Sequence, residues 1–182
     1  MKLITNPGTP QELFEDRANL LVAQMTYPEL INFLLKHRNP KQAEDDLHDI
    51  TRNMLKHILE VWKPKAKTMD KTLNELISVV RGGKFKTLKY RVIERDSNKR
   101  PLQAIIVDKD CILCKGQKLP IFQPKVKEIY YCSAIAGFVE AYLNSKILRQ
   151  NLNATYKSVE VRTISSIGSG DKICSHSCIL QY

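Results

Sequence analysis

The sequence has no apolar run near the roughly 20 residues needed to cross a bilayer. Its opening stretch MKLITNPGTP breaks off after Leu3 and Ile4 without the hydrophobic region of a signal peptide. These absences predict a cytoplasmic protein. There is no Gly-x-Gly-x-x-Gly fingerprint for a dinucleotide, no internal repeat and no low-complexity tract. Aromatic residues make up only 7% and do not interleave with the charges as in an RNA-stacking sheet, and no DNA-binding motif occurs. Histidine is scarce as well. Of the four, His37, His48 and His57 fall on predicted helices among polar neighbours and read as solvated surface, and His176 lies near the C-terminus. No serine-histidine-acid or paired-carboxylate arrangement can be assembled from spacing. The expectation is therefore binding rather than catalysis, with an open zinc position as the one place where chemistry would be sought.

What is present suits one domain. A chain of 182 residues with 43% apolar content can bury a full core, and residues 1–182 read as a single unit with 1–19 as an N-terminal extension or helix. The net charge of +10 is unevenly spread. Residues 63–100 hold 12 basic and 4 acidic groups, which is most of the excess. Such a segment is either a solvated lysine-rich surface or a face for an anionic membrane or an acidic protein.

The first half of the chain has helical periodicity. Residues 11–25 carry Leu13, Phe14, Leu20, Leu21 and Met25, and a second helix restarts after Tyr27-Pro28 with Ile31, Leu34 and Leu35. After Asn39-Pro40, Leu47, Ile50, Met54, Ile58 and Val61 or Trp62 recur at spacings of three and four, which predicts that this face is buried. A helix over 69–81 presents Leu73, Leu76, Ile77 and Val80 before Gly82-Gly83. The period then changes to two. Residues 88–93 and 102–107 predict an antiparallel hairpin, a further helix follows in EIYYCSAIAGFVEAYLNSKIL, and residues 159–164 and 173–180 predict a closing pair of strands. The class is α+β, helices on an antiparallel sheet of about four strands. In the penultimate helix Ser133, Gly137 and Ala141 form a flat stripe, which predicts close packing on the sheet or the wall of a ligand cavity.

Five cysteines, an odd number in a chain too long to need disulfide staples, read as thiols or metal thiolates. Cys174, His176 and Cys178 share one face of a strand but span about 13 Å, too far to meet on one ion. Further ligands would come from the Cys111-x-x-Cys114 pair and from Cys132. That set points to a structural zinc, against the alternative of small core cysteines.

Two segments resemble the 4-vinyl reductase domains, whose fold is related to the small subunits of the TRAPP vesicle-tethering complexes. These are CSAIAGFVEAYL, Cys132 to Leu143, and GSGDKIC, Gly168 to Cys174. The resemblance implies a module that encloses a hydrophobic cavity for a small molecule or acyl chain and forms a homodimer through its helices. In the related sensor domains of aromatic-responsive regulators it implies a structural zinc, and Cys132 and Cys174 match two of its ligands. The strand cysteine and acid of that pattern are replaced by Ser166 and Thr163. Cys111 and Cys114 are then the candidates for the missing ligands, with His176 or Cys178 in reserve. The second functional expectation is a TRAPP-like tethering or scaffold subunit acting through its surface.

Overall fold

The computed structural model describes residues 26–81, 88–109, 111–115 and 129–182. The predicted helix over 11–25, the extension over 1–19 and the stop signal Gly82-Gly83 lie outside them. Helix α1 covers 26–37, α2 Pro40–Val61 and α3 Met69–Arg81. Strands β1 (Leu88–Arg95) and β2 (Pro101–Asp108) form the first hairpin, followed by the one-turn α4 (Ile112–Lys115). Helices α5 (Ser133–Asn144) and α6 (Lys146–Asn151) precede β3 (Ser158–Ser165) and β4 (Cys174–Gln181). The two hairpins join through β2 and β4 into one antiparallel sheet of order β1-β2-β4-β3. No helix among the described residues is long and apolar enough to cross a membrane.

Helix α2 starts at a capping box, in which Asn39 accepts from the Gln42 amide and Gln42 accepts from the Asn39 amide, with Pro40 in the first turn. Its buried face differs from the predicted one. Ala43, Leu47, His48, Thr51 and Leu55 are inside, whereas Ile50, Met54 and Val61 are 38%, 51% and 87% exposed. The reason is long-range pairing, because α5 offers polar partners to the His48 side of α2. A methyl group on Gly137 would lie 2.1 Å from the His48 carbonyl oxygen and 2.3 Å from Thr51 Oγ1, so α2 and α5 cross at backbone contact. At Gly137 the small-residue stripe of α5 thus meets α2 rather than the sheet, and no cavity is left there. Helix α5 is almost wholly buried and forms the centre of the core with Leu47, Leu73, Ile77 and Ile106.

Side chains from the helices satisfy the outward backbone groups at both ends of the sheet. At the β1 edge, Asn74 Oδ1 accepts the Leu88 amide, Asn74 Nδ2 donates to the Leu88 carbonyl, and Asp70 accepts the Tyr90 amide. At the β3 edge, Asn144 makes the same double contact with Val159, at 2.8 and 2.7 Å. Glu140 accepts the Val161 amide at 2.9 Å, and His48 Nε2 lies 3.1 Å from the Val161 carbonyl. The remainder of each edge is interrupted by register shifts, after Val92 in β1 and after Thr163 in β3.

Candidate metal centre

Strand pairing and helix start deliver four thiols to one place. The register Asp108↔Cys174 sets the end of β2 beside the start of β4. Cys111 follows β2, and Cys114 lies one turn on in α4, its amide donating to the Cys111 carbonyl at 3.1 Å. Cys132 is the N-cap of α5. The segment leading to it is held from three sides, by Tyr27 hydroxyl to Tyr131 carbonyl, Ser169 hydroxyl to Ile129 carbonyl, and Tyr130 amide to Glu44 Oε1 at 2.6 Å. The sulfurs of Cys111, Cys114, Cys132 and Cys174 lie within 4.8 Å of one another, and all four residues are 3% exposed or less.

The closing turn supplies polar contacts to these sulfurs. Asp171 Oδ2 accepts the Ser166 amide at 2.8 Å, and Gly170, at φ 104, allows the left-handed turn that returns the chain to β4. Ser166 Oγ is then 3.4 Å from Cys114 Sγ, and the Ile167 amide donates to Cys174 Sγ at 3.3 Å. Cys114 Sγ and Cys174 Sγ are 3.4 Å apart. No disulfide is formed, since an S–S bond is about 2.05 Å. A tetrahedral zinc with Zn–S of about 2.3 Å sets sulfurs about 3.8 Å apart, so the cluster has the size of a four-thiolate site.

The electrostatics favour a cation. S–H donors from Cys111, Cys132 and Cys174 hold the Cys114 thiol far below its ordinary range. Hydrogen bonding with Cys111 and Cys114 pushes Cys174 and Cys132 well above theirs. Cys111 is lowered as well, with hydrogen bonding to Cys114 opposing the shift and Cys132 and Cys174 driving it, so without a metal the cluster favours thiolates on Cys114 and Cys111 at the expense of Cys132 and Cys174. A dication offsets the repulsion among several, and the amide and hydroxyl contacts are donors of the kind that thiolates accept. The donor set therefore fits zinc, with Cys111, Cys114, Cys132 and Cys174 as the residues that could hold it.

The two reserve residues are placed elsewhere. His176 is fully buried, with Nδ1 3.0 Å from Thr163 Oγ1, and burial depresses its pKa to about 4. Cys178 is 1% exposed, and burial raises its thiol to about 12. Neither belongs to the four-sulfur group.

A second polar constellation gave no sequence signal except one carboxylate in the otherwise apolar SAIAGFVEAYL. His48, expected on the surface, is buried at 4%, whereas His57 is solvated with its side chain 79% exposed. His48 Nε2 lies 3.1 Å from the Val161 carbonyl and 3.3 Å from Glu140 Oε2; both are acceptors, so Nε2 carries the proton. Burial works against the charge of Glu140, but His48, the Val161 amide and Arg52 together hold its carboxyl below the ordinary value. The adjacent groove, about 560 Å³, is bordered by Lys41, Glu44, His48, Tyr130, Ser133 and Arg162.

No protein-family model and no curated protein matches the chain. Solved structures do. The trafficking protein particle complex subunit 3 from Naegleria fowleri, solved covalently bound to palmitic acid, aligns with TM-score 0.58 and 15% identity over 91% of this chain and 96% of that one. The phenol-responsive sensory domain of the transcription activator PoxR, solved with phenol, aligns with TM-score 0.48 and 14% identity over 89% and 74%. The first likeness bears on the fold alone. In its helices packed on a four-stranded antiparallel sheet, the chain is similar to the trafficking-complex subunit.

Proposed function

We propose that residues 1–182 form a single non-catalytic binding module in which a structural zinc on Cys111, Cys114, Cys132 and Cys174 pins the closing strand to the central helix. The observation that carries this reading is the convergence of four buried sulfurs from four separate segments. A metal there links β2, α4, α5 and β4, so its binding free energy is folding free energy. Metal analysis of protein purified without chelator or affinity-tag metal should find about one zinc per chain; protein that is folded and metal-free sinks the reading.

The cargo of such a module is an apolar small molecule or acyl chain, a reading supported by the palmitic acid carried by the structural neighbour. Here the acyl group would be held without a thioester. All five cysteines are buried, four share the cluster, and the fifth, Cys178, has a thiol too basic to act as a nucleophile at neutral pH. Native mass spectrometry of the purified chain should show a non-covalent ligand that organic extraction removes.

The trafficking-subunit fold also favours a second reading, a TRAPP-like tethering or scaffold subunit that works as a homodimer in the cytoplasm. Phe33 on α1 and Ile50, Met54 and Val61 on α2 are exposed apolar residues on neighbouring helices, suited to a second copy. Light scattering that finds only monomer at high concentration counts against the homodimer.

A further inference from the structure

The basic segment over 63–100 contains four acids, and three of them accept backbone amides, only Asp96 also pairing with a cation of the segment. Glu75, the i+4 partner of Lys71, accepts the amides of Lys65 and Ala66 at 3.0 Å each. Asp70 accepts the Tyr90 amide between Lys89 and Arg91. Asp96 accepts the amides of Asn98 and Arg100 and pairs with the Arg100 guanidinium at 2.6 Å. Lys65, Lys67, Lys71, Lys89 and Arg91 are all exposed and form no ion pair with a described carboxylate. The fold thus uses its local acids to cap a strand, a helix approach and a turn, and leaves the positive charge uncompensated.

These side chains lie in the turn before α3, at the start of α3 and on β1, which α3 caps. Ile93, 50% exposed, follows Arg91 on the same strand, and Ile179, 48% exposed, lies on β4 of the same sheet. The chemistry differs from that of a protein hot spot, which is built on aromatic and arginine anchors in pockets. Lysines on long stems with scattered aliphatic side chains instead suit a diffuse array of phosphate headgroups.

We propose that the α3–β1 edge is a docking surface for an anionic lipid bilayer, engaged at headgroup depth by Lys65, Lys67, Lys71, Lys89 and Arg91. This deepens the tethering reading by naming its partner, and it does not depend on the metal or on an apolar cargo. Attraction to an anionic surface of about 1 kcal/mol per basic residue makes the binding reversible and sensitive to salt.

The test is co-sedimentation of the purified chain with phosphatidylcholine vesicles, alone and with about 30% phosphatidylserine. Binding is expected only to the anionic vesicles and should fall at least tenfold between about 0.05 and 0.3 M salt. The triple variant Lys65→Gln, Lys67→Gln, Lys71→Gln should bind on the order of 100-fold more weakly, with an unchanged circular dichroism spectrum. Glu94→Gln, which removes the remaining acid, should strengthen binding and keeps the test open if the triple variant fails to fold. Equal binding to neutral vesicles, no binding at low salt, or undiminished binding by a folded triple variant overturns the proposal. Vesicle binding by a chain that forms no dimer supports this inference while removing the homodimeric tether; a dimer that ignores anionic vesicles does the reverse.

Discussion

Replacing Gly137 by alanine tests the crossing on which the core is built. In a free helix the change is favourable by about 1 kcal/mol, because glycine has the greater backbone entropy to lose. In this fold the added methyl would sit 2.1 Å from the His48 carbonyl oxygen, more than an ångström inside the 3.4 Å at which ordinary contact begins. The obstacle is backbone, so no rotamer change relieves it and α2 must move away from α5. That movement also draws His48 from the Val161 carbonyl and from Glu140, now 3.1 and 3.3 Å away. Overpacking costs about 1–3 kcal/mol and a disrupted buried hydrogen bond about 1–3 more. After the propensity gain the net loss is about 1–5 kcal/mol, or roughly 2–20 °C in Tm for a chain of this size. Urea titration of Gly137→Ala should show a lower midpoint with an unchanged slope. Adding Thr51→Ala should not restore stability, because the His48 carbonyl remains in the way. A Gly137→Ala protein as stable as the parent, or more so, refutes the close crossing.

Cys174→Ser should abolish zinc retention and lower the unfolding midpoint, whereas Cys178→Ser should keep the metal; metal analysis with thermal denaturation distinguishes the two. Asn144→Ala leaves the Val159 amide and carbonyl without their partners and should cost about 1–3 kcal/mol in urea unfolding, as should Asn74→Ala at Leu88. Glu140 has a folded pKa below its ordinary value, so its contribution to stability is present above the unfolded pKa and is lost as pH falls through the folded one. A Tm series across the acid range should therefore be flatter for Glu140→Gln than for the parent, and equal slopes would remove Glu140 from the acid limb.

Local periodicity carried much of the fold. Leu73, Leu76 and Ile77 announced α3 and its buried side, and the alternation in 88–93 and 102–107 announced the first hairpin. The buried face of α2 was not legible, because His48 and Thr51 are inside only by virtue of Glu140, Gly137 and Val161, between 86 and 113 residues away along the chain. Hydropathy ranks Ile50 and Met54 above them, and no local rule reverses that order. The cysteines were easier, since the spacing of Cys111 and Cys114 and the likeness of Cys132 and Cys174 to a known pattern both pointed to one cluster. Their supporting contacts, the Ile167 amide and the Ser166 hydroxyl, depend on a turn geometry that spacing does not reveal. The asparagine contacts at the sheet edges were equally hidden, because nothing in the periodicity marks Asn74, midway along α3, or Asn144, at the end of α5, as a partner of a strand edge.

Those asparagines set a limit on how copies of this chain can associate. A bare strand edge is a template on which another chain, native or misfolded, adds its own strand and begins a fibril or a swapped dimer. Here two amides, two carboxylates and an imidazole stand where such a strand would lie, and bulges twist the remaining backbone out of register. Assembly by sheet extension is closed in both directions. Partners must approach across the face of the sheet or along the helices, and such docking leaves the four described strands as they are.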